Sequence, residues 1–157
     1  MMEIYCSDSA ATEALGQLLG SLAADGDVYC LTGDLGAGKT LLSRGIADGL
    51  GADVAEVNSP TFAIMNVYAG RLEMRHFDLY RIKDADELYN TGFGEYCGTG
   101  GVTVVEWGEL FIDELPEEYL HITIEIAGAG RKVIFNPHGA RYEKLCKEVE
   151  EHAGTGN

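Results

Sequence analysis

Apolar positions along this chain recur with two periods, and where each one holds decides which element can form. Ala11, Leu15, Leu18 and Leu22 fall three or four residues apart, so they share one face of a helix, with Ser7 or Ser9 as its cap. Leu42, Ile46 and Leu50 repeat the four-residue spacing and predict a second helix, stopped by Gly49 and Gly51. Leu120, Ile122, Ile124 and Ile126 instead alternate with His121, Thr123 and Glu125, the period of a strand buried on one face. Two unbroken apolar runs, Val28-Tyr29-Cys30-Leu31 and Val102-Thr103-Val104-Val105, are short and bounded by turn residues, so they read as buried strands.

Weaker signals fill the intervals. Ile4-Tyr5-Cys6 predicts a short strand, and Ala24-Asp25-Gly26-Asp27 ends the first helix. Thr61 to Tyr68 and Leu72 to Leu79 predict two extended segments joined near Ala69-Gly70 as a hairpin. Asp84 to Tyr89 fits a short helix, and five glycines between Gly92 and Gly101 predict a loop. Gly128-Ala129-Gly130 turns the alternating strand into Lys132-Val133-Ile134-Phe135, and a charged helix from about Ala140 to His152 closes the chain, with disorder expected from about residue 153. Strand–helix crossovers mixed with hairpins predict a single α/β domain spanning residues 1–157, with a mixed, mostly parallel sheet, helices on both faces and antiparallel hairpins.

Composition narrows this picture. A chain of 157 residues buries roughly 68% of its unfolded surface around one core, so no second domain is required. Its hydrophobic fraction of 46% argues against wholesale disorder. No apolar run approaches the length of a membrane span and no basic-then-apolar leader opens the sequence, so a cytoplasmic protein is expected. The four cysteines, at 6, 30, 97 and 146, form no Cys-x-x-Cys pair and read as reduced, buried thiols. A net charge of −15 repels a phosphate backbone, which excludes a direct grip on nucleic acid and leaves a solvated acidic surface or one complementary to a basic protein partner.

The chemistry concentrates between the first buried strand and the second helix. Gly33-Asp34-Leu35-Gly36-Ala37-Gly38-Lys39-Thr40 has the spacing of a phosphate-binding loop. Glycines let backbone N–H groups turn inward to form a nest where a Cβ would block oxygens, and the following helix adds its positive end. Lys39 then reaches the β- and γ-phosphates, and the Thr40 hydroxyl ligates Mg²⁺.

Three residues downstream suit the remaining parts of phosphoryl chemistry. Glu106 ends an apolar strand, which places its carboxylate at the carboxyl edge of the sheet, to hold Mg²⁺ through water or activate the nucleophile. Asp78, flanked by Phe77 and Leu79, is costly to bury without a cation or hydrogen bonds, although a salt bridge to Arg75 or Arg81 also satisfies it. Thr61, in Asn58-Ser59-Pro60-Thr61, lies where a switch segment offers a hydroxyl to the γ-phosphate or the metal. Trp107 points to the opposite side from Glu106 if the strand continues; core packing, interface packing and contact near the nucleotide are all open.

Four motifs in this order and spacing resemble the TsaE family, also called YjeE or YdiB: the phosphate loop, Ser59-Pro60-Thr61-Phe62, His76-Phe77-Asp78-Leu79-Tyr80-Arg81 and Val105-Glu106-Trp107. The resemblance covers nearly the whole chain. It implies ATP binding and slow hydrolysis, with Thr40 and Glu106 at the magnesium, Asp78 in catalysis and Thr61 in the switch. It further implies work with TsaB and TsaD, which carry out threonylcarbamoylation of adenosine 37 in tRNAs reading ANN codons, so that tRNA is met only through the complex. By the same resemblance Arg131 touches adenine or phosphates and Thr12 lies near the base. Leu41 follows the loop hydroxyl where the family often has threonine, and Gly108 follows the tryptophan where proline is frequent.

Rival classes leave different marks. A small-molecule kinase needs a lid with several arginines, and the eleven basic residues here are scattered. A GTPase switch needs Asn-Lys-x-Asp, and no asparagine here precedes a lysine. A non-catalytic adaptor with a structural nucleotide stays open.

Overall fold

The two unbroken apolar runs become the middle of a sheet. A computed structural model describes residues 1–34, 37–53 and 65–155. Within them, β2 (Val28–Thr32) and β5 (Val102–Glu106) lie side by side in parallel and are buried at all five positions each. Strands with no solvent face read as continuous apolar runs because helices cover both sides.

Five further strands among the described residues complete the sheet: β1 (Met2–Cys6), β3 (Met65–Tyr68), β4 (Met74–Asp78), β6 (Tyr119–Ala127) and β7 (Gly130–His138), in the order β1-β7-β6-β2-β5-β4-β3. The central four, β6, β2, β5 and β4, are mutually parallel. The hairpin partners β7 and β3 and the outer strand β1 are antiparallel to their neighbours. The described part of the expected Thr61–Tyr68 segment is β3, which pairs with β4 as the anticipated hairpin.

The pleat then divides the core in two. Tyr29, Leu31, Val104 and Ile122 face helices α1 (Ser9–Leu22), α2 (Lys39–Gly49) and α5 (Ala140–Thr155). Val28, Cys30, Phe77 and Val105 face α3 (Ala85–Asn90), α4 (Phe93–Tyr96) and a 3-10 helix, Gly108–Glu114. No helix of the described residues is long and apolar enough to cross a membrane.

Several local expectations move. Asp8 caps α1 instead of Ser7 or Ser9, its carboxylate accepting from Ala11 N–H at 2.8 Å. The face that α1 buries is Thr12, Leu15, Gly16, Leu19 and Gly20, while Ala11, Leu18 and Leu22 are only partly covered. A turn of helix, α4, forms inside the glycine-rich stretch because Phe93 is pulled into the second core, edge-on to Phe77 at 4.9 Å. The alternation of β6 fails at Ile126, which is 59% exposed. The last helix runs to Thr155, past its expected end near His152.

The rotation of α1 has a cause in α2. Gly16 and Gly20 lie against Gly45 and Gly49, so close that a Cβ on Gly45 would stand 2.8 Å from the Gly16 Cα and one on Gly20 2.9 Å from the Gly49 Cα. Four glycines at four-residue spacing let two backbones touch, and Gln17 Nε2 donates to Asp48 Oδ2 at 2.6 Å along the same seam. A leucine-only count of the helix face misses this contact because it ranks glycine as neutral. Gly45→Ala is therefore expected to lower stability by about 1–3 kcal/mol through overpacking, against a helix-propensity gain of about 1 kcal/mol. Urea denaturation reads the sign, and a raised midpoint would contradict the close seam.

Candidate active site

Strand β2 delivers the chain to the carboxyl edge of the sheet, where an open α/β sheet binds ligands. There Gly33 turns at φ +149°, and a Cβ on it would lie 2.6 Å from the Ile124 carbonyl oxygen. Gly38, at φ +117°, caps α2 in a left-handed conformation with no side-chain hydrogen bond to the first turn. The positive end of the α2 dipole faces this loop. Gly33, Asp34, Ala37, Gly38, Lys39 and Thr40 lie between the end of β2 and the first turn of α2; Leu35 and Gly36 fall outside the described residues.

Lys39 is only 5% exposed. Its ammonium donates to the Gly33 carbonyl at 2.6 Å and sits 3.7 Å from the centroid of the Trp107 ring. Trp107 does not continue the strand: β5 ends at Glu106, and Trp107 adopts φ +65°, the only described non-glycine with positive φ. That turn swings the indole to the phosphate loop, where Tyr80 packs on it at 4.9 Å between centroids. Of the open readings for Trp107, two find support: the ring contacts the loop lysine and it also packs against the second core.

The register of β4 against β5 sets Asp78 directly beside Glu106. Glu106 is 3% exposed, and its Oε2 lies 2.5 Å from Nε2 of the fully buried His76. The Asp78 carboxyl accepts from Tyr80 N–H at 3.0 Å. Burial raises its pKa and the Glu106 charge adds to that, while the Tyr80 N–H bond, His76 and Lys39 pull the other way. Arg75, one of the two salt-bridge partners considered for Asp78, instead pairs with Glu73 at 3.0 Å and donates to the Tyr96 carbonyl at 2.8 Å.

Glu109 joins this group without having been singled out by sequence: burial pushes its carboxyl up and Lys39 draws it down. Its signal was position alone, one short turn past Glu106-Trp107. Thr40 follows Lys39 in the first turn of α2 and is half-buried. Thr61 lies outside the described residues.

The weaker sequence candidates converge beside the loop. Thr12, Leu41 and Arg131 line one cavity of about 170 Å³, together with Gly38, Asp8 and Ser9, the last two not anticipated. Arg131 ties β7 to the phosphate loop, its Nε donating to the Ala37 carbonyl at 2.9 Å. Thr12 is buried on the adjoining face of α1. At the second departure from the family pattern, a Cβ on Gly108 would come 2.7 Å from the Cys30 sulfur, so a larger residue there requires the thiol to move.

The cysteines stay apart from this chemistry. All four are free and buried, and burial raises the Cys30 and Cys97 thiols to about 12, which keeps them protonated and unreactive.

Comparison with known proteins matches residues 6–133 to a family model described as "Threonylcarbamoyl adenosine biosynthesis protein TsaE". A protein of Bacillus subtilis (strain 168) named "tRNA threonylcarbamoyladenosine biosynthesis protein TsaE" is 44% identical over 148 residues, 93% of this chain and 92% of its own. One of the same name from Treponema pallidum (strain Nichols) is 39% identical over 123 residues, 78% of this chain and 90% of its own. The crystal structure of Bacillus subtilis YdiB superposes with a TM-score of 0.82 at 37% identity, covering 97% of this chain and 95% of that one.

Proposed function

The chain belongs to the TsaE family, whose members are named for threonylcarbamoyladenosine biosynthesis in tRNA, and on that footing we propose that it is a magnesium-dependent ATPase serving this modification. It binds ATP at the loop from Gly33 to Thr40, hydrolyses it slowly, and acts through TsaB and TsaD, meeting tRNA only through them, in the cytoplasm.

The observation that carries the reading is the pairing of two carboxylates, Asp78 and Glu106, at the ends of neighbouring parallel strands within electrostatic reach of Lys39. A structural nucleotide needs the cradle and the lysine alone. Two acids held partly or wholly out of water side by side repel each other, a cost that His76 and the Tyr80 N–H offset in part and that a cation between them would offset further.

The residues fit magnesium. Thr40 and Glu106 form a sufficient protein set for an ion that takes its other ligands from phosphates and water. Bound there, it supplies neutralisation of charge between the β- and γ-phosphates. Lys39 leaves the Gly33 carbonyl to pair with phosphate oxygen. Asp78, beside Glu106, positions the attacking water and takes up its proton as the carboxylate, which burial makes the stronger base. Arg131 and Thr12 border the cavity that the base enters, and Thr61 serves as the γ-phosphate sensor.

The acidic surface accords with a factor that reaches RNA through proteins, since −15 repels a phosphate backbone. Reconstitution tests the whole reading. Threonylcarbamoyladenosine formation on tRNA is measured with TsaB and TsaD present and this protein added or withheld. Modification is expected only with the protein and Mg²⁺-ATP; formation that does not depend on it overturns the proposal.

A further inference from the structure

We infer that His76 is a positioning residue for Glu106, holding one carboxylate oxygen so that the other faces the nucleotide site. The inference rests on the magnesium-ATPase reading and adds a residue to which that reading assigns no part.

Three observations meet at this side chain. His76 is fully buried and Glu106 is 3% exposed, so neither group exchanges its partner for water. The contact between them is short, 2.5 Å from Nε2 to Oε2, and a carboxylate only accepts, so Nε2 is the donor. Strand geometry makes the pair adjacent to the chemistry. Residues two apart on β4 share a face, so His76 and Asp78 stand on one side; the parallel register sets Asp78 opposite Glu106 and His76 opposite Val104, from where its ring reaches along the same face to the Glu106 carboxylate.

The consequence for Glu106 is directional. A glutamate has three side-chain torsions and two equivalent oxygens, and a catalytic carboxylate is useful only when one oxygen is aimed. With Oε2 committed to His76, Oε1 remains for metal-bound water or the nucleophile. The other ring nitrogen, Nδ1, is buried with no hydrogen-bond partner among the described residues.

Side-chain geometry separates positioning from mere filling. The Gln amide nitrogen falls near the place of Nε2 and still reaches Glu106, whereas the Asn nitrogen falls near Nδ1 and does not. Both keep a polar group in the pocket. The experiment compares His76→Leu, His76→Gln and His76→Asn for ATP turnover, for nucleotide affinity with and without Mg²⁺ by Trp107 fluorescence, and for thermal melting.

His76→Leu is expected to lower turnover by about 10- to 100-fold, the usual effect of removing a supporting hydrogen bond behind a functional ligand. It should also weaken the Mg²⁺-dependent gain in nucleotide affinity while leaving Mg²⁺-free affinity within a few-fold. His76→Gln should recover most of both, and His76→Asn should not. If the leucine variant does not fold, the Gln–Asn contrast decides. Equal behaviour of Gln and Asn, or leucine turnover at the wild-type rate, overturns the inference alone. Wild-type protein with no Mg²⁺-dependent turnover overturns the ATPase reading, and the inference falls with it.

Discussion

Lys39→Ala should bind nucleotide at least about 100-fold more weakly than wild type, since two charge-assisted bonds to phosphate are worth about 3 kcal/mol or more together. The native fold should survive the change. Lys39 is 5% exposed, and an ammonium kept from water costs free energy in the nucleotide-free protein; its bond to the Gly33 carbonyl and its place on the Trp107 ring are what offset that cost. The measurement that separates affinity from folding is thermal melting with and without Mg²⁺-ATP. A ligand at 100 times its Kd stabilises by about 2.7 kcal/mol. The wild-type midpoint should rise accordingly, and the variant should melt near the wild-type apo temperature with no rise. A ligand-induced shift of wild-type size in Lys39→Ala would remove the phosphate loop from the binding site.

The second large effect concerns turnover at nearly constant affinity. Glu106→Gln keeps the shape of the side chain and an oxygen to accept from His76, so the strand ends should stay in place. It removes the negative charge that would hold magnesium. Hydrolysis should fall by about 100-fold or more, since a metal ion contributes several kcal/mol of transition-state charge stabilisation, while Mg²⁺-free ATP binding changes only a few-fold. Single-turnover measurements give the chemical step directly. Unchanged hydrolysis in Glu106→Gln would move the metal-holding carboxylate to Asp78 or Glu109, which share the field of Lys39.

Much of the fold was legible for local reasons. The runs of β2 and β5, the alternation of β6 as far as Ile124 and the four-residue spacing of α2 each place apolar groups on a face that has to be buried, whatever lies opposite. Where the reading slipped, a distant partner was responsible. The α1 face turned because Gly16 and Gly20 needed to meet Gly45 and Gly49, and no hydrophobic count ranks a glycine as a contact. Helix α4 formed in a glycine-rich stretch because Phe93 had a ring to pack against in β4.

The site divides in the same way. The phosphate-loop motif was readable because it is contiguous: eight successive residues carry its glycines, the lysine and the hydroxyl. Glu106 was readable because an acid ending a buried strand is a local anomaly. Trp107 was not, since its direction depends on a left-handed turn that ends the strand one residue early. The cavity shared by Thr12, Leu41 and Arg131 draws on three elements far apart in the chain, and only the resemblance to a family pointed to two of them.

By itself, then, the amino-acid order determined the spacing of a phosphate-loop motif, the α/β class and a net charge of −15. These follow from neighbours in sequence and from net charge, and they survive any arrangement of the remaining elements. Tertiary structure alone decided that Asp78 stands beside Glu106, that His76 holds Glu106 from behind, and that Trp107 lies against Lys39. Each is a contact between residues on different elements. Strand register and one turn set them, and a shift of a single residue in β4 or β5 would separate His76 and Asp78 from Glu106 onto opposite faces of the sheet.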